Sequence, residues 1–254
     1  MKFVVIKKKM FWLCVLSIIS AVLLSLNIQG GASASVFFGS APRLVPIYSV
    51  DTEEKKVALT FDTAWGADKT LKILEILKQY NVNATFFMVG FWVEKYPEMV
   101  KAIDDQGIEI ATHSNTHPDL TKLSDSQVKL ELSTSIETIK KIINKDVTLF
   151  RVPYGAYNNK VINIAEDLGL KTIQWDVDTL DWKGLSGVEI CERVMSKVKN
   201  GSIILNHNNS DYVLEALPLM LERLINAGYQ VVSVGELIHL DNYYVDNLGI
   251  QRKN

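Results

Sequence analysis

Residues 57–62, with the sequence Val-Ala-Leu-Thr-Phe-Asp, form a short run of β-branched and aromatic side chains that ends in a carboxylate. Such a run predicts a buried strand, and similar runs recur along the chain. The predicted strands are Val57 to Asp62, Ala84 to Gly90, Ile108 to Thr112, Val147 to Val152, Thr172 to Asp178, Ser202 to His207 and Gln230 to Val234.

Segments of helical period separate these strands. The predicted helices are Lys69 to Tyr80, Pro97 to Gln106, Asp125 to Asn144, Asn159 to Leu168, Val188 to Lys199 and Val213 to Ala227. Alternating strands and helices predict an α/β fold with a parallel sheet inside its helices. Seven such units favour a closed or nearly closed barrel over an open, doubly wound sheet.

The length and charge of the chain exclude some classes of function. With 254 residues, the chain can form one sizeable domain without disulfide or metal support. It carries 27 Lys and Arg against 29 Asp and Glu, so its net charge of −2 gives no electrostatic case for a nucleic-acid partner.

The N-terminus has the pattern of an export signal. Lys7, Lys8 and Lys9 precede an apolar stretch from Met10 to Leu26, and the small residues 30–34 follow it. Residues 1–34 are therefore expected to be a signal peptide cleaved after Ala34 or a retained membrane anchor, with the folded part outside the cytoplasmic face. We expect residues 35–54 to be a connector, residues 55–240 to be the functional domain, and residues 241–254 to be a loose polar tail.

The stretch His113-Ser114-Asn115-Thr116-His117 places two imidazoles four residues apart. Its central residues favour turns over helix interiors, and Pro118 disfavours the α region at His117, so the pair is expected on a loop after the third strand. Such a pair can converge on one metal ion, although the spacing alone equally suits two loop histidines with local hydrogen bonds.

Polar side chains cluster where the predicted strands end. The side chains in these positions are Asp62, His113, Arg151, Asp178, Asp181 and His207. Taken singly, each also suits a structural role such as a helix cap, a surface ion pair, a turn or a buried histidine. In a parallel barrel, however, the carboxyl ends of all strands share one rim, where active sites are built. The set as a whole therefore favours a functional site.

Five ordered motifs in these positions resemble those of the polysaccharide deacetylases, carbohydrate esterase family four. They are Thr60-Phe61-Asp62, His113 to His117, Arg151-Val152-Pro153-Tyr154-Gly155, Asp178 to Trp182, and Leu205-Asn206-His207. The resemblance extends from about Lys55 to Ile238. The stretches Leu59 to Gly66 and Tyr154 to Asn158 further resemble the sporulation-associated branch of the family.

The resemblance implies a distorted (β/α)7-type barrel and a hydrolase that removes N-acetyl groups from cell-wall polysaccharide such as peptidoglycan or a chitin-like glycan. It implies a divalent metal, zinc with cobalt or manganese as alternatives, bound by His113 and His117. The implied catalytic set is Asp62 as general base, Arg151 orienting Asp62, His207 as general acid and Asp181 orienting His207. The backbone N–H of Tyr154 would bind the oxyanion, and Trp182 and Leu205 would wall the acetyl pocket.

Apart from the resemblance, aromatic side chains near the predicted rim are candidates for stacking on sugar rings, although an aromatic run more often belongs to a core. We favour Trp65 and Trp182 in this role among the rim aromatics Trp65, Phe91, Trp92, Tyr154, Tyr157 and Trp182.

One residue departs from the family pattern. The family usually has a second Asp directly after the base as its third metal ligand, and here that residue is Thr63. A hydroxyl is a poorer ligand than a carboxylate, so the third donor would come from Asp62, water or another side chain, with Asp68, Asp119 and Asp211 as candidates.

Two interpretations follow from Thr63, and a third remains open because loops can reshape the rim of a barrel. The favoured one is a metal-dependent deacetylase with a weakened or rearranged site. The second is a glycan-binding or spore-envelope protein with little or no turnover on the same scaffold. The third is a different carbon–nitrogen hydrolase acting on a small amide.

Overall fold

The computed structural model describes residues 8–28 and 42–254. The chain divides into two compact units, Met1–Pro42 and Arg43–Asn254. In the first unit, the helix Lys8–Ile28 carries large exposed apolar side chains, among them Phe11, Trp12 and Leu13. Within the described ranges, no helix combines the length and apolarity needed to cross a bilayer. The expected cleavage site at Ala34 lies outside these ranges.

The second unit contains a curled parallel sheet, as expected for a distorted (β/α)7 barrel. Strand β1 (Ser49–Val50) belongs to a second, smaller sheet. The strands of the large sheet are β2 Lys56–Thr63, β3 Thr85–Met88, β4 Glu109–Thr112, β5 Leu149–Phe150, β6 Lys171–Thr172, β7 Val177–Asp178, β8 Ile203–His207 and β9 Gln230–Val232. Their order along the sheet is β6, β5, β4, β3, β2, β8 and β7, and β9 pairs with the start of β2. The barrel prediction is confirmed.

Helices cover the outside of this sheet, and all six predicted helices are present. The longer ones are Thr70–Gln79, Pro97–Asp105, Asp125–Ile143, Asn159–Asp167, Gly187–Met195 and Val213–Asn226. The helices that begin after Ser124 and Ser186 start in capping boxes, in which the serine side chain and a residue three positions later satisfy each other's backbone N–H groups. Short helices at Gly90–Lys95 and Val234–Leu237 complete the set.

Two predictions at the strand level need correction. Ala84 to Gly90 is a strand only to Met88, because Gly90 begins a helix. The predicted strand Thr172 to Asp178 is two strands: β6 pairs with β5, and β7 pairs with β8 at the other edge of the sheet. The chain between them crosses the gap in the barrel, where Asp176 accepts hydrogen bonds from Ser202 and from the backbone of Ile203.

The C-terminal tail, expected to be loose, forms regular structure instead. Strands β10 (Tyr243–Val245) and β11 (Ile250–Lys253) form an antiparallel pair, and β11 also pairs with β1 (Ser49–Val50) from the expected connector. The fully buried Gln251 side chain bonds the backbone N–H and C=O of His239. The polar composition of the tail predicted a loose segment, but its polar groups form hydrogen bonds within the fold instead of with water.

The alternation of side chains along β2 determines which of its residues face the interior of the barrel. Val57, Leu59 and Phe61 pack in the core beneath the helices, whereas Ala58 belongs to the apolar cluster inside the barrel. Because strand residues alternate between faces, Thr60 and Asp62 point the same way as Ala58. The period of two therefore directs Asp62 into the barrel mouth.

Candidate active site

A cavity of about 760 Å³ opens at the carboxyl ends of the strands. Its lining comes from loops that follow β2, β4, β5, β7 and β8, so residues distant in sequence meet there. The Asp and His side chains in the lining are Asp62, His113, His117, Asp178, Asp181, His207 and Asp211. The shared rim predicted from the strand ends is therefore present.

Asp62 forms a buried ion pair with Arg151. The Arg151 Nη1 atom donates to Asp62 Oδ1 at 2.7 Å and to Thr60 Oγ1 at 2.8 Å. The guanidinium is fully buried, lies 4.0 Å from the centre of the Phe87 ring, and donates from Nη2 to the Gln174 carbonyl. Burial, the largest single influence, would raise the pKa of Asp62, but the charge and hydrogen bond of Arg151 together with the neighbouring His113 and His207 outweigh it and hold this pKa below its usual value. Asp62 is therefore ionised at neutral pH.

His113 faces the second oxygen of Asp62. Its Nδ1 lies 2.8 Å from the Arg151 carbonyl, which can only accept, so Nδ1 carries a proton. Burial lowers the pKa of His113, so the ring is neutral and its Nε2 is an acceptor. Nε2 lies 3.4 Å from Asp62 Oδ2, which places two acceptors opposite each other. A cation between them would satisfy both.

The turn that carries His117 is held by a side chain from a neighbouring helix. Glu131 accepts hydrogen bonds from the backbone N–H groups of Asn115 and Thr116, at 3.0 and 2.8 Å. Ser114 and His117 adopt left-handed backbone angles, with φ of 70° and 61°, and Ser114 Oγ accepts from the His117 N–H. This turn brings the centroids of the two imidazoles to 4.9 Å.

The side chains of His113, His117 and Asp62 provide some of the donor atoms that a divalent cation needs. Burial lowers the pKa of His117 to about 4, so its ring is also neutral at pH 7, and its buried Nδ1 has no hydrogen-bond partner. Two donors bound to one tetrahedral zinc ion lie about 3.3 Å apart, close to the separation of His113 Nε2 and Asp62 Oδ2. Across residues 8–28 and 42–254, however, no group of three or more His, Cys, Asp or Glu side chains is arranged as a metal site.

The candidates for a third metal ligand differ in whether their side chains reach the cavity. Thr63 is fully buried, its Oγ1 lies 3.5 Å from the Phe61 carbonyl, and it is absent from the cavity lining. Asp119 caps its own turn through Thr121, and neither it nor Asp68 lines the cavity. Asp211 lines the cavity, whereas Asp62 both lines the cavity and lies 3.4 Å from His113 Nε2. The structure thus favours Asp62 among these carboxylates.

His207 and Asp181 form a second polar pair on the other side of Asp62. Asp181 Oδ1 lies 2.7 Å from His207 Nδ1, and Asp181 Oδ2 accepts from the His207 backbone N–H at 2.8 Å. Burial opposes the charged imidazole, but the hydrogen bond and charge of Asp181 raise the pKa of His207 above its usual value. Because Asp62 and His207 are register partners on β2 and β8 and both line the cavity, a carboxylate and an imidazole of raised pKa lie side by side there.

Aromatic side chains surround the cavity mouth. Tyr154, Trp182 and Trp65 line it and are 71%, 62% and 55% exposed, while Leu205 forms part of the buried wall. Tyr154 has a φ of 59° in the turn after Arg151. Of the other aromatic residues expected near the rim, Trp92 is fully buried, and neither Phe91 nor Tyr157 lines the cavity.

Sequence reasoning missed two contributors to this site. Trp175 lines the cavity and lies 5.5 Å from the Arg151 guanidinium, but it fell inside a predicted continuous strand. Glu131 lies on a helix face, where a carboxylate normally faces solvent. Neither position carried a local signal, because each acts through a contact distant in sequence.

Comparison with known proteins identifies the family. A family model described as polysaccharide deacetylase matches residues 49–173. A peptidoglycan-N-acetylglucosamine deacetylase of Bacillus cereus is 33% identical over 196 residues, which cover 75% of this chain and 92% of that protein. The chain belongs to the polysaccharide deacetylase family. Among other members, the peptidoglycan-N-acetylmuramic acid deacetylase PdaC of Bacillus subtilis is 35% identical over 74% of this chain and 40% of its own.

Several relatives are longer than the segment of them that this chain matches. The chain spans 60% of the Bacillus subtilis protein YlxY, at 35% identity over 76% of the chain, and 39% of the Listeria monocytogenes deacetylase PgdA, at 36% identity over 72% of the chain.

Among solved structures, the chain is similar to BA3943 of Bacillus anthracis, described as a CE4 family pseudoenzyme. The TM-score is 0.74 at 37% identity, covering 83% of this chain and 73% of that one. A mutant of BA3943 described as having restored enzymatic activity has the same TM-score of 0.74 at 39% identity, with 76% of this chain and 71% of that one covered. The family thus contains both deacetylases and a scaffold without activity.

Proposed function

We propose that this protein is a metal-dependent hydrolase that removes N-acetyl groups from cell-wall polysaccharide. The observation that carries the proposal is the placement of the Asp62 carboxylate and the His207 imidazole at register partners of adjacent strands, over one cavity. Hydrolysis of an amide needs a base for water and an acid for the departing nitrogen, and the lowered pKa of Asp62 and the raised pKa of His207 favour these two roles.

In this mechanism Asp62 takes a proton from the water that attacks the acetyl carbon. Arg151 holds Oδ1, which leaves Oδ2 toward the cavity. His207 then donates its proton to the amine nitrogen as the C–N bond breaks, and Asp181 stabilises the imidazolium before that transfer. The products are acetate and a free amino sugar. No covalent intermediate with the protein is needed.

His113 and His117 would hold the divalent metal, zinc in the first instance. When bound, such an ion polarises the acetyl carbonyl and lowers the pKa of the attacking water. The backbone N–H of Tyr154 would assist at the oxyanion, and one good donor of this kind is worth about 3 kcal/mol. Trp182 and Leu205 would enclose the acetyl group, while Trp65 and Trp182 would stack on sugar rings.

Thr63 supports a second candidate, a glycan-binding protein with little turnover. If Asp62 Oδ2 serves as the third metal donor, the same oxygen cannot accept the proton of water without leaving the metal. The similarity to BA3943 favours this candidate as well. The two candidate functions differ in whether the bound glycan is hydrolysed, and both require that the glycan binds in the cavity.

The test is release of free amine from N-acetylglucosamine oligomers by the purified full chain, after chelation and after addition of zinc, cobalt or manganese. A deacetylase releases amine only with metal present. Amine release that chelation leaves unchanged contradicts the metal dependence. Oligomer binding without any release supports the glycan-binding candidate.

The Asp181→Asn variant is expected to move the alkaline limb of the activity profile to lower pH. Asp181 raises the pKa of His207, so the active, protonated imidazole persists above its unfolded pKa of about 6.5 in the wild type. The same pair contributes to the free energy of unfolding below that pH, and the contribution is lost as pH rises through the folded pKa. Rate and unfolding measured against pH check this, and an unmoved alkaline limb removes Asp181 from this role.

Export is also part of the proposal. The cationic residues before an apolar segment support secretion or an anchor on the outer face of the cytoplasmic membrane, where the polymer lies. A role in sporulation rests on the resemblance to that branch of the family. Fractionation of producing cells, with detection of the chain in the medium or the membrane, tests the location.

A further inference from the structure

The histidine turn, residues 113–117, has two of its backbone carbonyls bound by a neighbouring helix. The backbone N–H groups of Gly90 and Phe91, where that short helix begins, donate to the carbonyls of Ser114 and Asn115 at 3.0 and 3.1 Å. These bonds fix the turn from one side only. The N–H groups of the turn need acceptors of their own, because an unpaired backbone N–H away from water costs free energy.

Glu131 supplies acceptors for two of these N–H groups. Its Oε2 atom accepts from the N–H groups of Asn115 and Thr116 at 3.0 and 2.8 Å, and its Oε1 atom accepts from the Thr116 hydroxyl at 2.7 Å. Hydrogen bonds to a carboxylate are roughly twice as strong as those between neutral groups. Both oxygens of one side chain therefore bind the same turn.

An ordinary surface role does not account for Glu131. Within residues 8–28 and 42–254, no Lys or Arg side chain forms an ion pair with it. A glutamate on an exposed helix face commonly pairs with a basic residue three or four positions away. Glu131 instead lies half-buried in the second turn of the helix Asp125–Ile143, where its contacts are those of a group that fixes a loop.

The histidine turn needs this support because two of its residues have unfavourable backbone angles. Ser114 and His117 both have a positive φ, which few residues with a Cβ adopt. Such angles persist where the surrounding contacts outweigh their cost. The resulting turn places the centroids of the His113 and His117 rings 4.9 Å apart. A turn that relaxed to ordinary angles would carry His117 away from His113.

The fraction of molecules in which the turn is formed affects metal affinity directly. Only those molecules can bind one ion through both imidazoles, so the apparent affinity is the intrinsic affinity multiplied by that fraction. Removal of a protein group that orients a metal ligand typically lowers metal affinity about 10- to 100-fold. Because Thr63 supplies no carboxylate, the placement of the two histidines accounts for a larger share of the binding.

We propose that Glu131 is a positioning residue that sets the metal affinity of the His113 and His117 pair by keeping the histidine turn formed before an ion binds. This role rests on the metal-dependent function proposed above and adds to it a residue that touches neither metal nor substrate. Glu131 acts through the backbone of residues 115 and 116, so its removal should weaken metal binding without removing a donor atom.

The test is the zinc affinity of the full chain, measured by competition with a coloured chelator in the absence of substrate. Glu131→Ala removes the hydrogen bonds to the turn and keeps a good helix former, and we expect it to bind zinc about tenfold more weakly than the wild type. Glu131→Gln keeps one oxygen for the two N–H groups, so it should recover part of that loss. Glu137→Ala is the matched control and should bind zinc as the wild type does, because Glu137 is an exposed glutamate of the same helix.

The unfolding temperature separates positioning from a purely structural role. An ion that binds only the folded state raises this temperature by an amount that depends on its affinity. At a fixed zinc concentration we expect a smaller rise in Glu131→Ala than in the wild type. If Glu131 only stabilised the fold, the unfolding temperature would fall equally with and without zinc, and that result would overturn the inference.

Zinc affinity equal to that of the wild type in both position-131 variants would also overturn the role of Glu131, whether or not the chain is active. A wild type that binds zinc but releases no amine refutes the deacetylase function, and the ratio of affinities still decides the role of Glu131. A wild type that binds no zinc refutes both.

Discussion

The Asp62→Asn variant is expected to lose about 10³-fold in kcat/KM, the scale of a general base in catalysis. The asparagine oxygen can still accept from Arg151, but it cannot take a proton from water. The buried Arg151 charge also loses its counter-charge, so the free energy of unfolding should fall by about 3 kcal/mol. A folded domain of this size tolerates that loss.

Steady-state rates on N-acetylglucosamine oligomers, with circular dichroism to verify folding, check this expectation. Asp119→Asn is the matched control, because Asp119 is a carboxylate that caps a turn outside the cavity. An Asp62→Asn variant with the rate of the wild type would show that Asp62 is not the base.

The Thr63→Asp variant is expected to bind zinc about tenfold more tightly than the wild type, because a carboxylate replaces a neutral hydroxyl at the residue directly after Asp62, where the family usually has its third metal ligand. If Asp62 now serves as the third donor, the new ligand also frees Asp62 Oδ2, and kcat should rise. Thr63 is fully buried, so without metal the added carboxylate should lower the unfolding temperature.

Zinc affinity is measured by competition with a coloured chelator, and metal stabilisation by the shift in unfolding temperature. Thr63→Asn supplies a neutral side chain of the same size as the control. If Thr63→Asp and Thr63→Asn bind zinc alike, position 63 does not contribute a ligand, and the third donor comes from elsewhere. The mutant of BA3943 with restored activity shows that a related scaffold can regain turnover.

Much of the site could be predicted because it follows from strand periodicity. The run ending at Asp62 alternates between the helix side and the barrel interior, and the parallel sheet brings His207 beside it. Local composition also predicted the turn at residues 113–117. These features depend on residues near one another in sequence or on one rule of barrel geometry.

The remaining features depend on contacts that no local pattern encodes. Thr172 to Asp178 has the composition of one strand, but the barrel gap divides it between two neighbours, β5 and β8. The C-terminal tail is polar, yet β11 is ordered by pairing with β1, about 200 residues earlier in the chain. The Glu131 contact to the histidine turn likewise joins a helix to a loop.

If the mouth of the barrel is a metal-dependent hydrolytic site, zinc should bind there, and an anomalous-difference map at the zinc edge from zinc-soaked crystals would show it. We expect one peak within about 2.1 Å of His113 Nε2 and a nitrogen of His117, with Asp62 Oδ2 or water as a further donor. A map with no peak at the histidine pair, from crystals whose zinc binds elsewhere, would contradict it.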